Sequence, residues 1–175
     1  MAKLTINTGN ADKLEEFRKL LNMEVVSRVE DLPEPEADAI TIIRYKASQF
    51  EEVLVDDTSL DIEGAQVGIN VKWYIEHMKD FVGKKANFIC MLGIHRRGKI
   101  HIFRGDVPGK IVEARGKGFG FNPYFLPEGS HKTLAEEMQN QYNARYHAVQ
   151  AFLKNKASMV CEPLKIWKGH FQSKG

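Results

Sequence analysis

The feature that most constrains the fold is the way the hydrophobic period changes along the chain. An alternating, strand-like run from Lys3 to Asn7 leads through a tight turn into a helical period over residues 14–21. In the middle of the chain, strand-like segments at 87–95 and 99–104 flank Arg96-Arg97-Gly98, which is the pattern of a hairpin. Crossover helices combined with a hairpin-rich middle predict an α/β fold (mixed α+β) built on a mixed sheet.

The same periodicities predict the remaining elements. We expect a Pro-bounded loop at 31–36, helices over 40–50, 71–81 and 134–154, a strand over 53–55 that ends at Asp56-Asp57-Thr58, a third meander strand near 109–113, and short strands near 159–160 and 165–167. No repeat, low-complexity segment or long linker interrupts the 175 residues. The length therefore predicts one domain over 1–175, either compact or made of two small lobes that share a core.

Composition argues against several classes of protein. The 25 Lys and Arg residues nearly balance the 23 Asp and Glu residues, for a formal net charge of +2, which argues against a protein that coats nucleic acid polymers. No apolar run of about 18 residues is present and the first residues enter a strand directly, so we expect neither a membrane span nor a signal peptide. Cys90 and Cys161 lack the spacing of a zinc site or a disulfide framework. We therefore expect a reducing, cytoplasmic environment.

The turn Thr8-Gly9-Asn10 joins the first strand to the first helix, and Lys13 follows one turn into that helix. Glycine permits close folding of the backbone, while a helix N-terminus offers N–H groups and a positive dipole end that suit a phosphate. Lys13 adds a full positive charge. The alternative is that Asn10 only caps the helix, as is common in short turns of this kind.

Carboxylates form a second candidate group. Asp56 and Asp57 follow a buried strand, and Glu34 lies in the Pro-bounded loop. Ligands bind at the carboxyl ends of strands in α/β sheets, and adjacent acids repel each other unless a cation is near. Mg²⁺ fits such a site, because it prefers hard oxygen ligands and takes one or two carboxylates with phosphate oxygens and waters. The alternative is that Asp56-Asp57-Thr58 caps a turn.

A third candidate is the segment 115–123, Arg-Gly-Lys-Gly-Phe-Gly-Phe-Asn-Pro, in which three glycines alternate with basic and aromatic residues. Glycines let the backbone approach a ligand, and an aromatic ring offers a face on which a purine can stack. The alternative is a glycine-rich turn with core phenylalanines. The six histidines show no metal-ligand spacing, so we interpret them as surface or core residues.

Taken in order, these segments resemble the family of inosine triphosphate pyrophosphatases, which hydrolyse non-canonical purine nucleoside triphosphates. The matching segments are 8–16 (TGNADKLEE), 32–34 (LPE), 54–60 (LVDDTSL), 72–74 (KWY), 103–105 (FRG) with 109–112 (GKIV), and 115–123 (RGKGFGFNP). With the last long helix included, the resemblance runs from about residue 3 to residue 152. It therefore covers nearly the whole chain.

The resemblance implies an elongated, twisted mixed sheet with two lobes, a nucleotide in the cleft between them, and a homodimer. It also implies Mg²⁺-dependent attack of water on the α-phosphorus of a nucleoside triphosphate, which gives a monophosphate and pyrophosphate. Carried over by position, Glu34 and Asp57 would hold the metal, Asp57, Asp56 and Lys13 would be catalytic, and Phe119 would stack on the base. The implied substrate-binding residues are Thr8, Gly9, Asn10, Lys13, Lys46, Lys72, Phe119, Gly120, Phe121, Asn122, Gln139 and Arg145.

The sequence departs from the family pattern chiefly where the family reads the purine edge. Asn122 is an amide where the family has an aspartate, and Gln139 stands where the family has a lysine. Of the family's Ser-His-Arg near the last long helix, only Arg145 remains. Further departures are an altered segment at 65–70, a few residues missing between Lys46 and Asp56, and a C-terminal extension over 158–175 with no assigned role.

The phosphate and metal residues therefore match the family, while the base-reading residues do not. The leading hypothesis is a nucleoside triphosphate pyrophosphatase with altered or broadened base specificity. Alternatives are ordinary inosine and xanthosine triphosphate selectivity through Arg145, a nucleotide-binding module that has lost turnover, and a purely structural domain. Glu34, Asp57, Lys13 and Lys46 argue against the binding module, because binding alone does not need both metal ligands.

Overall fold

The structure is a computed structural model that describes residues 3–65, 71–118 and 120–172, except for the side chains of residues 71–73. Two predicted site groups, the Phe119 residue and the Lys72 side chain, lie outside the described part. The helices are α1 (Ala11–Leu21), α2 (Ala39–Ser48), α3 (Val71–Glu76) and α4 (Ala144–Leu153), and the strands are β1 (Lys3–Asn7), β2 (Glu24–Arg28), β3 (Val53–Ile62), β4 (Lys85–Arg96), β5 (Lys99–Ile111), β6 (Phe125–Pro127) and β7 (Met159–Cys161).

The strands form one mixed sheet in the order β2-β1-β3-β4-β5-β6, with β7 also paired to β5. β1 pairs in parallel with β2 and β3, whereas β5 pairs antiparallel with β6 and β7. The two residues between β4 and β5, Arg97 and Gly98, both have positive φ, which is the backbone of a tight hairpin turn. The predicted mixed-sheet α/β class and the predicted hairpin are thus confirmed.

The chain divides into two compact units, each described by itself. Unit 1 comprises Met1–Asp57, Met91–Arg104 and Ala148–Gly175, and unit 2 comprises Thr58–Cys90 and Gly105–His147. None of the helices within the described ranges is long and apolar enough to cross a membrane.

Unit 1 begins with the predicted strand, turn and helix. The Asn10 side chain accepts hydrogen bonds from the backbone N–H groups of Asp12 and Lys13, which caps α1. α1 then buries Phe17 and Leu21 at helical spacing. The order β1-α1-β2 with two parallel strands is a crossover unit, as the change of period predicts.

Unit 2 contains an aromatic core of Phe88, Phe121 and Phe125, whose rings meet edge to face at centroid distances of 5.1 to 6.2 Å. β6 approaches β5 so closely that a Cβ at Gly109 would lie 2.5 Å from the Leu126 carbonyl oxygen. Glycine is therefore required at this position of β5. The predicted third meander strand near 109–113 is the end of β5, not a separate strand.

Three other predictions are wrong, two in their bounds and one because the predicted element does not form. β3 does not end at Asp56-Asp57-Thr58 but continues to Ile62, so the two acids lie inside a strand. The predicted helix over 71–81 is divided into α3 and a 3-10 turn at Met78–Phe81, although Tyr74 and Met78 are buried as expected. The segment 165–167 forms no strand, while β7 confirms the strand near 159–160.

Of the predicted helix over 134–154, only the part from Ala144 to Leu153 forms an α-helix, which is α4. The backbone N–H groups of Leu134 and Ala135 donate instead to the carbonyls of Phe125 and Asn122, which holds this segment against its neighbours. Asn143 then accepts a hydrogen bond from the Arg145 N–H, so the helix begins after this side-chain cap.

Candidate active site

Five charged side chains of unit 1 form the group that we call the carboxylate–lysine cluster: Lys13, Glu34, Lys46, Asp56 and Asp57. The Lys13 ammonium lies 3.1 Å from the Asp56 carboxylate, which is only 5% exposed. The Lys46 ammonium donates to the Asp56 backbone carbonyl at 2.7 Å and to the Glu34 carboxylate at 3.3 Å. The structure thus brings together the three predicted acids and two of the predicted lysines.

Each member of the cluster is placed by a different element. α1 supplies Lys13 one turn after its cap, and α2 supplies Lys46 from its last turn. β3 supplies Asp56 and Asp57 from its middle, where Val53, Leu54 and Val55 precede them as buried residues. Glu34 lies in a segment without helix or strand, just before the isolated bridge residue Pro35.

Burial and charge together set the protonation of Asp57. Desolvation by the surrounding protein raises the pKa of the Asp57 carboxyl. The positive charge of Lys46 opposes this rise, whereas the negative charges of Glu34 and Asp56 add to it. Together these effects raise the pKa of Asp57 to about 7. Desolvation alone would lower the pKa of Lys46, but Asp57, Asp56 and Glu34 outweigh it and raise that pKa above its ordinary value. Lys46 therefore stays charged, while Asp57 can gain or lose a proton near neutral pH.

The donor chemistry of the cluster fits a divalent cation with hard oxygen preference. Glu34 and Asp57 supply carboxylate oxygens, and three acids against two lysines leave one formal negative charge to neutralise. No group of three or more His, Cys, Asp or Glu residues in the described chain is arranged as a complete metal site. Mg²⁺ suits such a partial set, because it usually binds one or two carboxylates and completes its shell with phosphate and water oxygens.

The contacts in the turn before α1 are those of a helix cap, which is the alternative to a phosphate-binding turn. Asn10 caps the helix, and its backbone N–H donates to the Thr8 hydroxyl at 3.1 Å. Gly9 has no positive φ, and a Cβ placed on it would meet Val29 at an ordinary 3.5 Å. The fold of the turn itself does not require this glycine. Close approach of a phosphate to the Gly9 backbone therefore stays a prediction.

The glycine-rich loop, residues 115–120, has structural reasons for two of its glycines. A Cβ at Gly118 would lie 2.6 Å from the Ala135 Cβ, and one at Gly116 would lie 3.0 Å from the Glu136 nitrogen. The Phe121 ring is buried in the aromatic core of unit 2, so we assign that ring to packing, not to the nucleotide. Gly120 has a φ of +61°, which favours glycine, and a Cβ there would meet Ile75 at an ordinary 3.8 Å.

The remaining predicted base-reading residues also lie in unit 2. The Arg145 side chain is buried and donates to the Thr58 hydroxyl at 3.2 Å. The Gln139 side chain accepts from Gln141 at 2.9 Å, and the partly buried Asn122 begins a 3-10 turn. The contact between Arg145 and Thr58 was not predicted, since 87 residues separate the two.

A separate cavity in unit 1 is lined by none of the predicted site residues. It has a volume of about 660 Å³ and is lined by residues that include Arg96, Phe103 and Phe152. No member of the carboxylate–lysine cluster lines it.

Comparison with known proteins identifies the family of the chain. A model of the Ham1 family matches residues 4–155. The chain belongs to the Ham1 family. The fold of this Ham1-family chain is similar to that of the Ham1 protein of Staphylococcus aureus, with a TM-score of 0.70, 21% identity, and coverage of 89% of this chain and 100% of that one. It is also similar to a Mycobacterium abscessus protein described as a nucleoside-triphosphatase and dITP/XTP pyrophosphatase, with a TM-score of 0.58, 23% identity, and coverage of 88% of this chain and 98% of that one.

These matches confirm the family that the motifs indicate. The matched range of the Ham1-family chain contains every predicted site residue. It does not contain the C-terminal segment, which contacts the loop of Glu34 through a backbone hydrogen bond from Gln172 to the Glu34 carbonyl. No local pattern marks this contact in the sequence, because its partners are far apart along the chain.

Proposed function

We propose that this Ham1-family chain is a Mg²⁺-dependent nucleoside triphosphate pyrophosphatase that releases a nucleoside monophosphate and pyrophosphate. The observation that best supports the proposal is the carboxylate–lysine cluster. Holding three acids and two lysines together in a partly buried site costs desolvation energy and is weak evidence for a stabilising role. Groups with displaced pKa values that gather in this way are typical of reaction centres.

In the proposed reaction, the oxygen of a water molecule bonds to the α-phosphorus and the bond from that phosphorus to the α–β bridging oxygen breaks. Asp57, with Asp56 beside it in β3, would orient the water and accept its proton. Glu34 and Asp57 would hold Mg²⁺, which when bound supplies charge to stabilise the phosphate oxygens and the leaving pyrophosphate.

Lys13 and Lys46 would bind the triphosphate oxygens. An ammonium group has three N–H donors, and the described contacts of Lys46 use two of them, on Asp56 and Glu34. A further donor thus remains for a phosphate oxygen. Gly9 would let the backbone at the start of α1 approach the same phosphates.

We further propose that base preference differs from, or is broader than, that of inosine- and xanthosine-selective relatives. Asn122 and Gln139 replace the charged groups expected at these positions, and a site discriminates strongly only through polar groups that are present and matched to the substrate. Arg145 is the remaining donor for a purine keto oxygen. A homodimer and a cytoplasmic location, both expectations from the sequence, complete the proposal.

The decisive experiment incubates the protein with a panel of nucleoside triphosphates, with Mg²⁺ or with a chelator, and measures monophosphate and pyrophosphate. The panel contains inosine, xanthosine, adenosine and guanosine triphosphates, their deoxy forms and base-modified analogues. We expect stoichiometric monophosphate and pyrophosphate with Mg²⁺ and none with the chelator. Tight binding of a triphosphate without turnover would instead support a nucleotide-binding module.

A further inference from the structure

The C-terminal segment that follows α4 extends beyond the residues matched by the Ham1 family model, and it makes several contacts with the rest of unit 1. After β7 pairs with β5, the chain crosses α2. Arg44 of α2 donates to the Glu162 carbonyl at 2.6 Å, and the Leu164 N–H donates to the Ser48 hydroxyl at 2.7 Å. Gln49 donates to the Lys165 carbonyl at 3.0 Å. These contacts attach the segment to the helix that supplies Lys46.

A compact turn then redirects the segment. The Trp167 indole N–H donates to the His170 carbonyl at 2.8 Å. The indole lies against Gly169 so closely that a Cβ there would come within 2.8 Å of the ring. The turn therefore depends on this glycine, and it directs the last described residues, 170–172, toward the loop of Glu34.

Residues 170–172, which we call the C-terminal strap, bind the backbone on both sides of Glu34. The Gln172 N–H donates to the Glu34 carbonyl at 2.8 Å, and the Glu36 N–H donates to the His170 carbonyl at 2.9 Å. These bonds form an antiparallel bridge between Pro35 and Phe171. The loop thus gains one rung of β pairing from the strap.

Side chains reinforce this bridge. The Gln172 amide donates to the Pro35 carbonyl at 3.1 Å. The Phe171 ring packs edge to face on Tyr45 of α2, with centroids 5.9 Å apart. Pro35 is buried, whereas Glu34 projects a side chain that is 37% exposed. The strap therefore fixes the loop backbone while leaving the Glu34 carboxylate accessible.

The two proposed metal ligands differ in their local support. Asp57 lies inside β3, where neighbouring strands hold the backbone, whereas Glu34 lies in a segment of irregular structure. A ligand on an irregular segment binds a cation well only if other contacts order its backbone, because ordering otherwise costs conformational entropy at the moment of binding. The described backbone partners at 34 and 36 are provided by the strap.

We infer that His170, Phe171 and Gln172 are positioning residues that hold the Glu34 loop so that its carboxylate binds the divalent cation. The inference rests on the proposed function, which makes Glu34 a metal ligand. It gives a role to the C-terminal extension, and it predicts that loss of the strap weakens metal binding more than it weakens the fold or the binding of nucleotide.

The test compares two truncations of the full chain, one lacking residues 170–175 and a matched control lacking only 173–175. Binding of Mn²⁺ in the absence of nucleotide is measured from the electron paramagnetic resonance signal of the free ion. Loss of partners that orient a metal ligand commonly weakens metal affinity by about 10-fold, and we expect that loss for the first truncation and none for the control. Thermal unfolding of the two proteins in a chelator should differ little.

Kinetics provide a second readout. We expect the truncation lacking 170–175 to need about 10-fold more Mg²⁺ for half-maximal rate and to recover most of kcat at saturating Mg²⁺, with an unchanged KM for nucleotide. Glu34→Gln should not recover in this way. A role limited to general stability would not shift the Mg²⁺ dependence alone.

A pair of point variants covers the case in which the truncated chain does not fold. Gln172→Pro removes the N–H that donates to Glu34, whereas Gln172→Ala keeps that N–H and removes the side-chain bond to Pro35. We expect Gln172→Pro to weaken Mn²⁺ binding more than Gln172→Ala.

Equal Mn²⁺ affinity in the full chain and in all strap variants would overturn the inference, as would a full chain that binds no Mn²⁺. A full chain that binds Mn²⁺ but hydrolyses no triphosphate would refute the pyrophosphatase, while the comparison of variants would still decide the role of the strap.

Discussion

The carboxylate–lysine cluster of unit 1 and the segment 115–145 of unit 2 both contain residues that the sequence marks as functional, but their local structures differ. In the cluster, charged groups are held together at a cost in desolvation that packing does not explain. In the second segment, Gly116, Gly118 and Phe121 have ordinary packing roles. Charges gathered in a partly buried site are therefore better evidence of chemistry than glycines and aromatic residues in a loop.

The largest effect should come from Asp57→Asn, which removes a proposed metal ligand and proton acceptor but preserves shape. We expect kcat to fall at least ~100-fold, a loss typical of disabling metal-assisted water activation. The matched control is Asp61→Asn, an exposed position on the same strand, β3. Steady-state pyrophosphate release measures both. An Asp57→Asn rate close to that of the control would remove Asp57 from the reaction.

Lys46→Met should have the next largest effect, because it leaves Glu34, Asp56 and Asp57 without their shared cation. We expect kcat/KM to fall about 10- to 100-fold, as lost stabilisation of phosphate charge predicts. Lys19→Met, at an exposed position of α1, serves as the control. Equal kcat/KM values for the two variants would show that Lys46 only balances charge within the protein.

Protonation of Asp57 predicts a pH dependence of metal binding. The pKa of Asp57 is raised from 3.8 to about 7 in the folded, metal-free protein. Between pH 3.8 and about pH 7, the folded protein therefore keeps a proton on Asp57 that the unfolded chain has lost. The contribution of this group to stability therefore falls as the pH rises through this window, and protons compete with the metal. Mn²⁺ affinity should drop by up to about tenfold per pH unit below 7. Asp57→Asn should lack this dependence, and an identical pH profile in both proteins would exclude Asp57 as its source.

The second segment can be tested by restoring the family's charged groups. Asn122→Asp combined with Gln139→Lys should shift the ratio of kcat/KM for inosine over adenosine triphosphate upward by about 10-fold, if these positions set base preference. Asn140→Asp with Met138→Lys introduces the same charges at exposed neighbouring positions as a control. An unchanged substrate ranking would mean that the base-reading positions in this chain are elsewhere.

The smallest effect should come from Gly9→Ala. A Cβ at Gly9 has room, with Val29 at 3.5 Å, so the free energy of unfolding should stay within about 1 kcal/mol of the original. If the backbone approaches a phosphate, KM for the triphosphate should rise about 3- to 10-fold. Calorimetry and steady-state kinetics separate the two effects. An unchanged KM would leave the turn with its capping role alone.

Local signals in the sequence predicted much of unit 1 correctly. β1, α1 and the Asn10 cap depend on neighbouring residues, so their periodicity and turn chemistry are sufficient. The continuation of β3 was missed because Asp56 and Asp57 disfavour strands, and the lysine that pairs with Asp56 is 43 residues away. Such compensation by a distant charge leaves no periodic signal.

Non-local contacts also account for what was missed elsewhere. The segment 134–143 has helical periodicity, but pairing with Asn122 and Phe125 offers its backbone other partners. The C-terminal strap was entirely unpredicted, since Gln172 and Pro35 are separated by 137 residues. The candidate site residues can be named from the sequence, whereas the contacts by which the rest of the fold supports them cannot.

The most direct test of the proposed reaction uses a nucleoside triphosphate that the protein hydrolyses in the panel assay. The reaction is run in H₂¹⁸O with Mg²⁺, and both products are analysed by mass spectrometry. Attack of water on the α-phosphorus predicts one ¹⁸O atom in each nucleoside monophosphate and none in the pyrophosphate. Release of inorganic phosphate with a nucleoside diphosphate, or ¹⁸O in the pyrophosphate, would contradict the proposed function.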